Sequence, residues 1–120
     1  MEYLIIALKV IVGLSILNVW LVRSKKATPW RGGDANNIEE EFKAYGLPVW
    51  FMWAVGSIKV ILALLLLISI YYPQVEAIAA YGIAFLMLGA VSMHIKIGDS
   101  LKKSFPAFTF LVISLVIALF

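Results

Sequence analysis

The chain has 120 residues, 63% of them hydrophobic and 14% charged, with a formal net charge of +3. Soluble domains run at about 45–50% apolar and about 25% charged, and so short a chain in water buries only about two-thirds of its unfolded surface; the composition excludes a water-soluble globule and points to lipid as the solvent. The absence of cysteine excludes disulfides, thiolate metal sites, c-type haem attachment and Cys nucleophiles, and the single histidine, His94, excludes bis-histidine haem ligation or an H-E-x-x-H zinc site within one chain.

A hydrocarbon core about 30 Å thick takes about 20 apolar residues in helix. The first stretch of this kind is residues 3–22. It is preceded by Glu2 and no Lys or Arg. It ends in Val22-Arg23-Ser24-Lys25-Lys26 with no small-residue cleavage site, so it reads as a retained span rather than a secretory signal. The loop that follows has structure of its own. Gly32-Gly33-Asp34 signals a turn, and Asn37 stands three residues before Glu40, like the start of a capping box. Ile38, Phe42 and Tyr45 then repeat at helical spacing, and Gly46-Leu47-Pro48 stops the helix. The expectation is a short amphipathic helix over 38–45 lying at the membrane surface, with Glu39, Glu41 and Lys43 on its polar face.

The second span is 48–70, the third 75–95 and the fourth 105–120, all in one domain with no internal duplication and no low-complexity tract. The expected fold is all-α: a polytopic membrane protein, a four-transmembrane-helix bundle with an interfacial helix in the first loop. Arg23, Lys25, Lys26, Arg31 and Lys43 occupy the first loop and Lys96, Lys102 and Lys103 the third, while Tyr71-Tyr72-Pro73-Gln74 holds no basic residue. By the positive-inside rule both basic loops are expected in the cytoplasm and both termini outside, in a bacterial inner (plasma) membrane. Trp20, Trp30, Trp50 and Trp53 then form the inner aromatic belt, and Tyr3, Tyr71 and Tyr72 the outer one. The positive charge speaks of anionic lipid rather than nucleic acid.

A charge in the hydrocarbon costs about 2.5–3.5 kcal/mol even on the lenient insertion scale, so Lys9 and Lys59 demand partners. All seven acidic residues lie in loops or near a membrane edge. Helical side chains lean toward their own N-terminus, so Lys9 is expected to snorkel to the outer headgroups or toward Glu2. Lys59, in mid-span, leans toward the cytoplasm. His94 and Asn18 lean up to meet it, and Asp99 follows His94 after a short turn. These four residues are the candidate ligand site, with Gly56, Ala63 and Ala90 allowing close helix approach. A set of interhelical hydrogen bonds that merely fixes the bundle is the alternative reading of the same residues. No G-x-S-x-G, P-loop, metal-binding cluster or intramembrane carboxylate pair is present, and no metal or haem is expected.

Glu40-Glu41-Phe42-x-x-Tyr45-Gly46-Leu47-Pro48, Val55-Gly56-x-x-Lys59, Met87-x-x-Ala90-x-x-x-His94, Gly98-Asp99 and Lys103-x-x-Pro106-Ala107 resemble the DoxX-like family of small four-helix membrane proteins. Many DoxX relatives carry Glu where Lys59 stands. This chain resembles a lysine-bearing branch instead. The family takes its name from a small membrane subunit of a thiosulfate:quinone oxidoreductase, so the resemblance implies a membrane redox partner or a quinone-adjacent role. Three functions follow as expectations. The first is an accessory or ligand-binding bundle using Lys59, His94, Asn18 and Asp99. The second is a subunit of a quinone-linked oxidoreductase, in which Lys59 and His94 hydrogen-bond the quinone carbonyls. The third is a structural assembly or chaperone-like protein. The ligand expected is a lipid or a quinone, and the partners are membrane lipid, a larger membrane or redox subunit, and other copies of the chain as a homo-oligomer.

Overall fold

A computed structural model describes residues 2–22, 32–33 and 35–120. Arg23, Lys25, Lys26, Trp30, Arg31 and Asp34, which the sequence assigns to the first basic loop, the aromatic belt and the turn, lie outside the described residues. Helix α1 (Glu2–Leu17) runs on into a π-helical stretch, Asn18–Val22. The short α2 (Ile38–Ala44) and the long α3 (Val49–Ile68) follow. A 3₁₀ turn, Pro73–Val75, leads into α4 (Glu76–Lys96), and α5 (Leu101–Leu119) closes the chain. Four of these helical segments are long and apolar enough to cross a membrane, where every backbone polar group must be satisfied within the segment. The architecture is the expected all-α polytopic bundle.

The long helices pack in a ring, α1 on α3, α3 on α4, α4 on α5 and α5 back on α1, with α2 laid on α3. Val12, Ile16, Ala63, Leu66, Ala80 and Ile117 form the centre of the interior, and alanines among them let the backbones approach closely. Large apolar side chains such as Ile61, Phe85 and Phe105 point outward, as lipid allows. Helix α5 begins at Leu101, one turn before the apolar stretch starts. Pro106, in its second turn, removes only the bond that would run to the Lys102 carbonyl.

Two glycine-terminated helix ends fold the chain back toward the site. At the end of α4, Gly98 takes φ +73°. Its N–H donates to the Ile95 carbonyl at 3.1 Å, and the Asp99 N–H donates to the His94 carbonyl at 3.0 Å. Gly46 (φ +79°) does the same for α2, with bonds to Lys43 and, from Leu47, to Phe42. Both are Schellman ends, which need a residue free to adopt the left-handed region. The start of α2 is capped by the Asn37 side chain, which accepts from the Glu40 N–H at 2.8 Å. The return bond of the expected box goes to the Asn36 N–H, 2.7 Å from Glu40 Oε2, one residue earlier than a capping box requires. Ile38, Phe42 and Tyr45 are all buried, so the apolar face of α2 packs on the bundle beside Met52 and Trp20.

Lys9 departs from its expected position. It does not reach outward to headgroups or to Glu2; it is 5% exposed, with Nζ 3.0 Å from Glu76 Oε1 and 3.4 Å from the Ser69 carbonyl. The side chain does lean toward the start of α1. At that same end α3 terminates, presenting a carbonyl at its negative dipole end, and α4 begins with Glu76 in its first turn. Those two groups satisfy the ammonium inside the protein.

Candidate functional site

All five helices contribute to a cavity of about 860 Å3. The π-helical end of α1 matters here: wider turns of this kind occur often at functional sites, and this one carries Asn18 and Trp20 to the cavity wall. Trp20 packs against α3 at Gly56, where an added Cβ would fall 2.4 Å from the indole ring. No residue larger than glycine fits without moving the ring. One turn along α3, Lys59 sits half-buried on the same wall with its ammonium 5.5 Å from the centroid of the Trp20 ring, a cation–π arrangement. Across the cavity α4 supplies Met87, Ala90 and His94, and α5 supplies Phe110. Phe85 and Phe105 line the cavity and are also 75% and 65% exposed on the bundle exterior. The cavity therefore opens onto the face that meets lipid.

His94 is 4% exposed and joins three elements. Its Nδ1 is 2.8 Å from Asp99 Oδ2, across the turn made by Gly98. Its Nε2 is 3.3 Å from the Tyr45 hydroxyl, and the two rings meet edge to face with centroids 5.7 Å apart. The Tyr45 hydroxyl in turn lies 2.5 Å from Glu41 Oε1. The result is an unbroken chain, Asp99–His94–Tyr45–Glu41, running from the α4–α5 turn to the cavity wall. Glu41 borders the cavity, and its charge acts on Lys59. Lys96 donates to the Tyr45 carbonyl at 3.1 Å, tying α4 to the end of α2.

Asp99 anchors the chain. Burial alone would raise its carboxyl. The hydrogen bonds from His94 and from the Gly33 N–H (3.1 Å to Oδ1, 3.3 Å to Oδ2), with the charges of His94 and Lys103, more than offset that and hold it below the usual carboxylate range. Lys103 Nζ is 4.0 Å from Asp99 Oδ1 and also donates to the Gly33 carbonyl. The first loop is thus pinned to the start of α5. Because Asp99 is an anion that can only accept, the proton between it and His94 belongs on Nδ1.

Of the four residues expected to converge, Asn18, Lys59 and His94 border the cavity, while Asp99 stands behind His94. Glu41 and Tyr45 are additions. The helical wheel put Glu41 on a solvated face and Tyr45 on a packing face; in the structure both border the cavity, with Tyr45 against His94 and Glu41 against the Tyr45 hydroxyl. Their signal lay in the sequence as Glu41 and Tyr45 four residues apart, one helical turn, beside the only histidine's partner loop. Among the described residues there is no group of three or more His, Cys, Asp or Glu able to hold a metal.

No curated protein and no solved structure matches this chain. A family model described as the DoxX-like family matches residues 31–117. That span takes in α2, Lys59, His94 and Asp99, every part of the site except what α1 and its π-helical end contribute. With the four apolar helices already established, a match over most of its length means that the chain belongs to the DoxX-like family of integral membrane proteins.

Proposed function

We propose that this small membrane protein binds an amphiphile in the cavity between its helices. The ligand has an apolar body and a head group that accepts hydrogen bonds or carries negative charge. The observation that carries the reading is the cavity itself. Its volume of about 860 Å3 lies within the range of small-molecule sites. Its wall is mostly aromatic and aliphatic, with a few polar groups, Asn18, Lys59, Glu41 and His94, set into it. Lys59 supplies the cation, Asn18 a neutral donor, and the opening past Phe85 and Phe105 lets the ligand arrive from the bilayer. In this reading the end of the bundle that carries α2 faces the cytoplasm, in keeping with the basic residues of the loops, and the chain acts as an accessory subunit or carrier in an inner membrane.

A quinone-linked role is the second reading. It is favoured by the hydrogen-bonded chain ending at His94 and Glu41, which suits a carbonyl that gains protons when reduced. Mass spectrometry of molecules extracted from the purified protein tests both. Wild-type protein should retain a defined lipid or quinone, and Lys59→Met should lose it while keeping the fold. Identical extracts from the two proteins would leave Lys59 as a packing residue and favour the structural-assembly role.

A further inference from the structure

The donors on the cavity wall are spent on one side and unspent on the other. On the α4 and α5 side they are taken up within the protein. Both ring nitrogens of His94 have partners, Asp99 at 2.8 Å and the Tyr45 hydroxyl at 3.3 Å. The Ser92 hydroxyl donates to the Leu88 carbonyl at 2.9 Å, and that of Thr109 to the Phe105 carbonyl at 2.8 Å. Lys103 is held by Asp99 and the Gly33 carbonyl. On the α1 and α3 side Ser15, Asn18 and Lys59 all border the cavity, and among the described residues none of their side chains has a hydrogen bond or an ion pair. The Lys59 ammonium rests over the Trp20 ring with no anion paired to it. Ser15 and Asn18 stand three residues apart, on one face of their helix. Gly56 meets Trp20 and Gly13 meets Leu67, so α1 and α3 run antiparallel, and Lys59, one turn beyond Gly56, comes level with Asn18. The three donors share one wall. Unpaired donors in a mostly apolar wall are costly, and a ligand that brings oxygens to them removes the cost.

We propose that Ser15, Asn18 and Lys59 form a head-group subsite for a carboxylate carried on a single apolar chain, a ligand of the fatty-acid type. The subsite deepens the amphiphile reading above and rests on it. An ionised carboxylate has two oxygens, one negative charge and acceptors only. Lys59 supplies its counter-ion, and the Asn18 amide and the Ser15 hydroxyl supply neutral donors from the facing helix. The same wall limits the charge of the head. Glu41 borders the cavity and acts on Lys59, so a head with a second negative charge, such as a phosphate monoester, meets a carboxyl where it needs another cation. Lys103, the other lysine on the wall, is already paired with Asp99. A neutral carbonyl, as in a quinone, leaves the Lys59 charge without a counter-ion. The cavity of about 860 Å3, in the range that houses drug-sized ligands, suits one chain, which leaves past Phe85 and Phe105 toward lipid. Ser15 and Asn18 are the specificity residues of this site, because they separate a two-oxygen head from a point contact with Lys59.

Binding of oleate, oleyl alcohol, oleyl phosphate and a short-tailed quinone to lipid-stripped protein in uncharged detergent micelles tests the subsite. The measurement is made at about pH 8.5, where the carboxyl is ionised even with its pKa raised by the micelle. Wild type should bind oleate at least about tenfold more tightly than oleyl alcohol, the size of one charge-assisted contact, and more tightly than the phosphate or the quinone. Ser15→Ala and Asn18→Leu should each cut the preference for oleate over oleyl alcohol about threefold or more, and Lys59→Met should erase it. Ser92→Ala, which removes a hydroxyl already bonded to its own helix, should leave the preference unchanged. Oleyl alcohol, oleyl phosphate or the quinone binding as tightly as oleate would overturn the carboxylate class and leave the amphiphile reading in place. A full preference in both Ser15→Ala and Asn18→Leu would overturn the subsite. Wild type that keeps its helix content and binds none of the set would overturn the amphiphile reading and the subsite together. The wild-type comparison decides the ligand class whether or not a variant folds.

Discussion

The buried ion pair at the other end of the bundle gives a prediction whose asymmetry comes straight from exposure. The Lys9 side chain is 7% exposed and that of Glu76 31%. In Lys9→Met the orphaned carboxylate of Glu76 can turn to water or headgroups, so the loss is that of one charge-assisted bond, about 1–2 kcal/mol after screening. In Glu76→Gln the ammonium stays buried with the Ser69 carbonyl at 3.4 Å as its remaining charge-stabilising contact. Breaking a buried pair in this way costs about 3–5 kcal/mol. The double variant removes the stranded charge and should be more stable than Glu76→Gln alone. Denaturant titration of the protein in mild-detergent micelles, with the double-mutant cycle completed, measures all three. An equal or larger loss for Lys9→Met, or a loss below about 0.5 kcal/mol for both, would refute the buried pair and restore an interfacial Lys9.

Acid should unlock the first loop. Asp99 is held below its unfolded value of about 3.9, so its contribution to stability is fully present above that value and is lost as pH falls through the lower folded value. Stability measured between neutral pH and about pH 3 should fall less steeply in Asp99→Asn than in wild type; parallel curves would contradict the bonding described. Single cysteines placed at exposed Asn36 and Gln74 should report opposite sides of the membrane, 74 labelled from outside intact cells and 36 protected; the reverse pattern would invert the orientation.

The parts of the fold that were legible in the sequence are those fixed by local chemistry. Apolar length marked the four spans, the Asn37 cap and Gly46 marked α2, and the lean of side chains toward helix N-termini brought Lys59, Asn18 and His94 to one region. What escaped depends on which helices abut and at what register. Glu76 looked like an edge residue because nothing in its own helix places it beside Lys9. Glu41 looked solvated because a helical wheel of seven residues has no way to show that the cavity borders it. The π-helical turn at Asn18–Val22, which carries Trp20 to its contact with Gly56, leaves no mark in composition. The family resemblance, carried by short motifs in α2, α3 and α4, was sound for membership.

The proposed function requires the cavity to hold a ligand by its head group. An experimental map of the protein purified from its membrane in mild detergent tests it most directly. Elongated density is expected between the helices, with its polar end beside Lys59 and Asn18 and its tail passing Phe85 or Phe105 toward the lipid. A map in which the same side chains close the space and Lys59 turns away from it would contradict the account.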